Sequence, residues 1–181
     1  MNKTIYALGF FDGVHVGHAA LLDRCKTLAR EENYRAGVVT FAAHPDTLVL
    51  GNTPPLINTP YDREKLLRER FSMEQVVTLP FDEQMRDQPP ECYVGELVRR
   101  LHPKAVVCGN NHSFGAGGSG SPALLQALGA ALGFEVSVVP PITLHGQEVS
   151  STIIRQKLGE GRVAEARALL GRPYSRRVEL A

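Results

Sequence analysis

An excess of charge of one sign is missing from this chain. Its 20 Lys and Arg nearly balance 19 Asp and Glu, for a formal net charge of +1. That balance gives no reason to expect a nucleic-acid or membrane partner. Cysteine is scarce as well. Cys25, Cys92 and Cys108 are odd in number, scattered and in no metal-ligand spacing, so they read as reduced thiols of a cytoplasmic protein rather than as a disulfide framework. No apolar run approaches the ~20 residues of a membrane span. The N-terminus enters a strand directly, without the basic and apolar regions of a secretion signal. Internal repeats are absent, and nothing in the sequence signals an oligomeric state.

What remains is the composition of one soluble globular domain. A chain of 181 residues with 43% hydrophobic content is long enough to bury a substantial core. Short β-branched runs alternate with helical periodicities along its length. Strands are expected at 4–8, 37–41, 75–79, 105–108 and 134–139. Helices are expected from about 19 to 32, from a start at Thr59-Pro60-Tyr61-Asp62 through Phe71, and over 90–101, 123–132, 152–158 and 163–170. The Pro- and Asn-rich stretch 51–60 reads as a mobile or excursion loop. Gly109 to Ser121 is too rich in Gly, Asn and Ser to make core. Strands alternating with helices predict an α/β domain with a doubly wound parallel sheet. The domain is expected over 1–174, with a C-terminal tail over 175–181.

The stretch Gly9-Phe10-Phe11-Asp12-Gly13-Val14-His15-Val16-Gly17-His18 is then the turn between the first strand and the first helix. Ligands of open α/β sheets bind beyond the carboxyl ends of the strands. Gly9, Gly13 and Gly17 remove Cβ atoms where backbone must bend or approach a ligand. The helix start offers N–H groups and a positive dipole end to an anion. His15 and His18, three apart, fall on one helix face if the helix has begun by His15. Two donors there suit phosphate oxygens during substitution at phosphorus. Asp12 reads as a brace of the turn. Late in the chain, Ser150-Ser151-Thr152-Ile153-Ile154-Arg155 opens another helix. Its hydroxyls either cap that helix or, with Arg155, hold phosphates.

Together, His15-Val16-Gly17-His18 and Ser150 to Arg155 resemble the motif pair of the nucleotidylyltransferase superfamily. Within it, Gly9 to His18 is similar to the FAD synthetase (FMN adenylyltransferase) module of the bacterial riboflavin kinase/FAD synthetase family. Thr40-Phe41-Ala42-Ala43-His44-Pro45, Gly109-Asn110-Asn111-His112-Ser113-Phe114-Gly115 and Leu169-Leu170-Gly171-Arg172-Pro173-Tyr174 resemble further segments of that module. The resemblance covers about residues 4 to 174 and implies a Rossmann-like nucleotidylyltransferase fold.

It also implies a reaction. AMP would pass from ATP to FMN, giving FAD and pyrophosphate, with Mg2+ bridging phosphate oxygens. His15, His18 and Arg155 would be catalytic. Gly9, Phe10, Phe11, Gly17, His18, Ser151, Thr152 and Arg155 would bind ATP. His44, Pro45 and Asn111 would lie in flavin or phosphate loops, although a His before Pro is also a common turn residue and Asn111 could serve a left-handed turn. Two departures stand out. The family's cation is absent from the run around Gly118, and Ile153 stands where the helix motif commonly carries arginine. The chain ends at Ala181, so a following riboflavin kinase barrel is not expected. The same residues also allow a transferase with another phosphorylated acceptor, or a flavin- or nucleotide-binding paralogue.

Overall fold

The computed structural model describes residues 3–174; the expected tail, 175–181, lies outside the described residues. Strands β1 (Thr4–Leu8), β2 (Arg35–Phe41), β3 (Gln75–Leu79), β4 (Ala105–Gly109) and β5 (Glu135–Val139) form one sheet in the order β3-β2-β1-β4-β5. All four pairings are parallel. The order reverses between β1 and β4, which opens a crevice at their carboxyl ends.

Central β1 is buried at every residue, as a strand covered on both faces must be. Its side chains alternate between two cores. Ile5 and Ala7 meet Leu22, Cys25 and Ala29 of helix α1 (Val16–Glu31). Tyr6 and Leu8 lie in the opposite cluster with Tyr93, Val94, Leu97 and Leu125. Those four come from α5 (Pro90–Leu101) and α6 (Pro122–Leu132), which α2 (Pro45–Val49), α3 (Pro60–Lys65) and α4 (Glu83–Asp87) precede in the chain. A third cluster joins Ile57 and Val149 to Ile154, Ala166, Leu169 and Leu170. It packs α7 (Ser151–Gly159) and α8 (Val163–Leu170), which follow a small antiparallel hairpin of β6 (Thr143–Leu144) and β7 (Gln147–Glu148).

The doubly wound parallel sheet is the expected one, and each strand falls within two residues of its expected limits. Elsewhere the structure differs. Helices α2 and α4 span five residues each, too short to write a periodic stripe into the sequence. The helix expected from the Thr59–Asp62 start to Phe71 begins at Pro60, with Thr59 as its N-cap, but widens into a π-helical turn over Leu66–Arg70, where Leu67 is fully buried. The stretch expected to be a mobile excursion returns to the body of the protein. Ile57 and Asn58 are 2% and 6% exposed, because they pack against the histidine turn. Among the described residues no helix is long and apolar enough to cross a membrane.

Candidate functional site

The last residues of β1, β2, β4 and β5 (Leu8, Phe41, Gly109 and Val139) line a cleft of about 350 Å³. Of the residues singled out in the sequence, Gly9, Phe10, His15, Gly17, His18, Pro45, Asn111, Ser150 and Ser151 also line it. Phe11, His44, Thr152 and Arg155 do not.

The turn that carries the histidines is held in an uncommon backbone shape. Phe11 (φ 60), Gly13 (φ 80) and Val14 (φ 40) are all left-handed, which is costly for a β-branched residue such as Val14. The end of β2 grips its start: Gly9 N–H donates to the Val39 carbonyl at 3.2 Å, and Thr40 Oγ1 donates to the Phe10 carbonyl at 2.9 Å. The Phe11 ring turns into the core and is fully buried.

His15 is the N-cap of α1. Its Nδ1 accepts from the His18 backbone N–H at 3.2 Å. An accepting Nδ1 assigns the ring proton of the neutral imidazole to Nε2. The two imidazoles stack, with centroids 3.6 Å apart and planes 15° from parallel. Gly17 permits this, because a Cβ there would sit 3.1 Å from the His15 ring. Burial lowers the His15 pKa to about 4. Burial, and then neighbouring His15, push His18 well below the usual imidazole range. The pair is therefore neutral near pH 7. With the first-turn N–H groups of α1 lacking helical partners, the cleft presents donors but no negative charge at this point.

Asp12 braces the turn. Its Oδ1 accepts from the backbone N–H of Ile57 (2.9 Å) and Asn58 (3.3 Å), and its Oδ2 accepts from Arg155 Nη1 at 2.8 Å. Ser151 Oγ donates to the Asp12 carbonyl at 2.8 Å. Arg155 thus pairs with a buried carboxylate behind the turn, and its Nη2 also approaches Thr152 Oγ1 at 3.4 Å. Ser150 caps α7 by accepting from the Ile153 N–H. In the same way His44 caps α2: its Nδ1 accepts from the Asp46 N–H at 3.1 Å while its ring meets the edge of Phe10. Asn111 is exposed in the cleft wall and is not among the left-handed residues.

Several residues of the site carry no local signal in the sequence. Arg63 is 2% exposed, stacks 4.2 Å from the Phe10 ring centroid and donates from Nη2 to the Phe41 carbonyl at 2.7 Å. It fixes two walls of the cleft at once. His112 stacks on Phe114, has its Nε2 buried without a partner, and is pushed by burial to a pKa of about 4. Phe41, Pro45, His112 and Ser113 line both this cleft and a second, more apolar cavity of about 590 Å³ whose other walls include Leu48, Val49, Phe81, Met85, Tyr93 and Phe114, with Asp46, Arg86 and Asp87 among them. Among the described residues, Glu148 is the one carboxylate in the lining of the first cleft.

A family model described as FAD synthetase matches residues 1–153. A bifunctional riboflavin kinase/FMN adenylyltransferase of Listeria monocytogenes is 34% identical over 97% of this chain and 55% of its own length. The Escherichia coli protein of the same description is 32% identical over 94% of this chain and 55% of its own. The chain spans about half the length of the curated relatives it matches. Among solved structures, a Streptococcus pneumoniae chain described as a macrolide-efflux protein superposes with a TM-score of 0.87 at 29% identity, covering 96% of this chain and 56% of that one.

Proposed function

The chain belongs to the FAD synthetase family, and from that premise we propose that it is an FMN adenylyltransferase, moving AMP from ATP onto FMN to give FAD and pyrophosphate. One observation carries the reading: the cleft holding the His15–His18 pair shares a wall with a second, more apolar cavity. A nucleotide triphosphate suits the first and an isoalloxazine ring the second. The two phosphates to be joined would then meet at Phe41, Pro45, His112 and Ser113.

A phosphate oxygen of FMN attacks the α-phosphorus of ATP, and the bond from that phosphorus to the bridging oxygen breaks. Pyrophosphate leaves with the electron pair. The FMN phosphate is a monoester with a second pKa near 6, so at neutral pH the nucleophile is already an anion and no general base is required. Neutral imidazoles suit that chemistry. His15, through Nε2–H, and His18 would bind phosphate oxygens and follow their charge into the transition state. Gly9, Phe10, Gly17 and Ser151 would line the ATP side. Phe11 would support His18 from the core, their centroids being 5.1 Å apart. Arg155 would reach the triphosphate only by leaving the Asp12 contact, and Thr152, outside the cleft lining, meets Arg155 through its Oγ1. His44, Pro45 and Asn111 would shape the FMN side.

Magnesium fits as a passenger on the triphosphate. Among the described residues no three His, Cys, Asp or Glu gather to hold a metal. The lining of the cleft does include Glu148, and also the amide and hydroxyl groups of Asn110, Asn111 and Ser151. Magnesium is commonly held by one or two carboxylates and substrate phosphates, and it would neutralise charge on the phosphates.

The test is direct. Protein with ATP, Mg2+ and FMN should release pyrophosphate and form FAD, and chelation should stop it. His18→Ala should lower the rate by about two to four orders of magnitude. FMN and ATP binding without pyrophosphate release would replace the reading with a binding paralogue; turnover with another phosphorylated acceptor would change the substrate.

A further inference from the structure

Three left-handed residues in a four-residue stretch do not hold themselves. Phe11, Gly13 and Val14 need surroundings that over-determine their shape, and the Asp12 contacts account for only one side of it. The other side is supplied from α8 and beyond. Arg172 Nη2 donates to the Gly13 carbonyl at 2.6 Å and to Asn58 Oδ1 at 2.9 Å. Asn58 in turn donates its N–H to Asp12. The result is a closed ring of contacts, Asp12 to Asn58 to Arg172 to Gly13, directly behind the histidines.

Packing reinforces the ring. A Cβ on Gly13 would lie 2.9 Å from Ile57 and 3.3 Å from Leu170, and one on Gly171 would lie 2.7 Å from Val16. The backbone at Gly171 therefore abuts the first residue of α1. Arg70 Nη2 donates to the Gly171 carbonyl at 3.1 Å, which secures the segment from its far side. Arg172 lies on the back of the turn and is not among the residues lining either cavity.

From this geometry we infer that Arg172 is a positioning residue for the histidine turn, acting through the Gly13 carbonyl, two residues before His15. The orientation of that peptide sets the backbone of Val14 and, through it, the capping position from which His15 and His18 project. The inference rests on the proposed role of this turn as the phosphate site. A guanidinium suits the task because its planar fork fixes several acceptors at once, where an ammonium is a single point.

The experiment compares Arg172→Ala, Arg172→Lys and Asn58→Ala with the unaltered protein in two measurements. In the first, histidine imidazole NMR signals are recorded. Those of His15 and His18 should move in Arg172→Ala and less in Asn58→Ala, while His102, which precedes the amino end of β4, stays in place. In the second, kcat for FAD formation should fall about tenfold to a hundredfold in Arg172→Ala, with KM for FMN within about twofold. Arg172→Lys should recover part of that loss.

If Arg172→Ala does not fold, the lysine and Asn58 variants carry both measurements. His15 and His18 signals that overlay those of the unaltered protein, at unchanged kcat, would overturn the inference even if thermal stability drops. Absence of FAD formation by the unaltered protein would instead defeat the FMN adenylyltransferase reading. The imidazole signals would still decide the role of Arg172.

Discussion

His15 and His112 are neutral above a pH of about 4 because the fold withdraws them from water. In an unfolded chain the same groups titrate near 6.5. Between those values the unfolded chain binds the extra protons, so stability should fall as pH drops from about 6.5 towards 4 and should stay flat above that window. Each imidazole contributes a slope of about 1.4 kcal/mol per pH unit. Urea unfolding at pH 7.5 and 5 measures it, and His112→Gln should make the drop shallower. A second expectation concerns Asp12, which is 2% exposed. Arg155→Met would leave its buried carboxylate without a cation and should cost on the order of 3 kcal/mol in denaturant unfolding. Adding Asp12→Asn should recover most of that loss.

The same residues mark how far the sequence could be read. The glycines and histidines of the turn sit within one decapeptide, where spacing speaks, and the bracing role of Asp12 followed from its place in it. Its partners Ile57 and Asn58 lie 45 and 46 residues away, and Arg172 lies 159 from Gly13. No local periodicity encodes such pairings. Arg63 and His112 were hidden for a related reason, since their roles depend on which strand ends become neighbours.

At the level of elements, the five strands and the long helices were legible because β-branched runs and apolar stripes announce them. Helices α2 and α4 and the two-residue strands β6 and β7 leave no such pattern, yet α2 and β7 supply cleft residues Pro45 and Glu148. The serines at α7 illustrate a divided role. Ser150 caps the helix and Ser151 ties it to Asp12. Ser150→Ala should therefore lower stability by about 1 kcal/mol with little change in kcat. The loop after β4 is fastened at Gly115, where φ is +71 and a Cβ would fall 2.7 Å from the Pro90 backbone. Gly115→Ala should displace this loop. Loss of FMN affinity with ATP affinity intact, read by fluorescence titration, is the expected outcome.

For the molecule as a whole, one parallel sheet holds two cavities of different character side by side. Val49 lines only the apolar one and is 55% exposed, so a charge there should spare the fold. Val49→Asp should raise KM for FMN by about tenfold, roughly the worth of 1.4 kcal/mol, while KM for ATP stays put. Equal effects on both substrates would argue against separate seats.

The ring behind the histidine turn has a consequence for biosynthesis. The turn leaves the ribosome well before Arg155 and Arg172, which follow it by more than a hundred residues. Since chains emerge N-terminus first, the sheet strands can be complete while the histidines still lack the contacts that set their backbone. Nucleotide capture would thus be withheld until residue 172 has emerged. Nascent chains stalled with residue 172 still inside the ribosome should leave the turn open to protease, and chains stalled with it well outside should protect it.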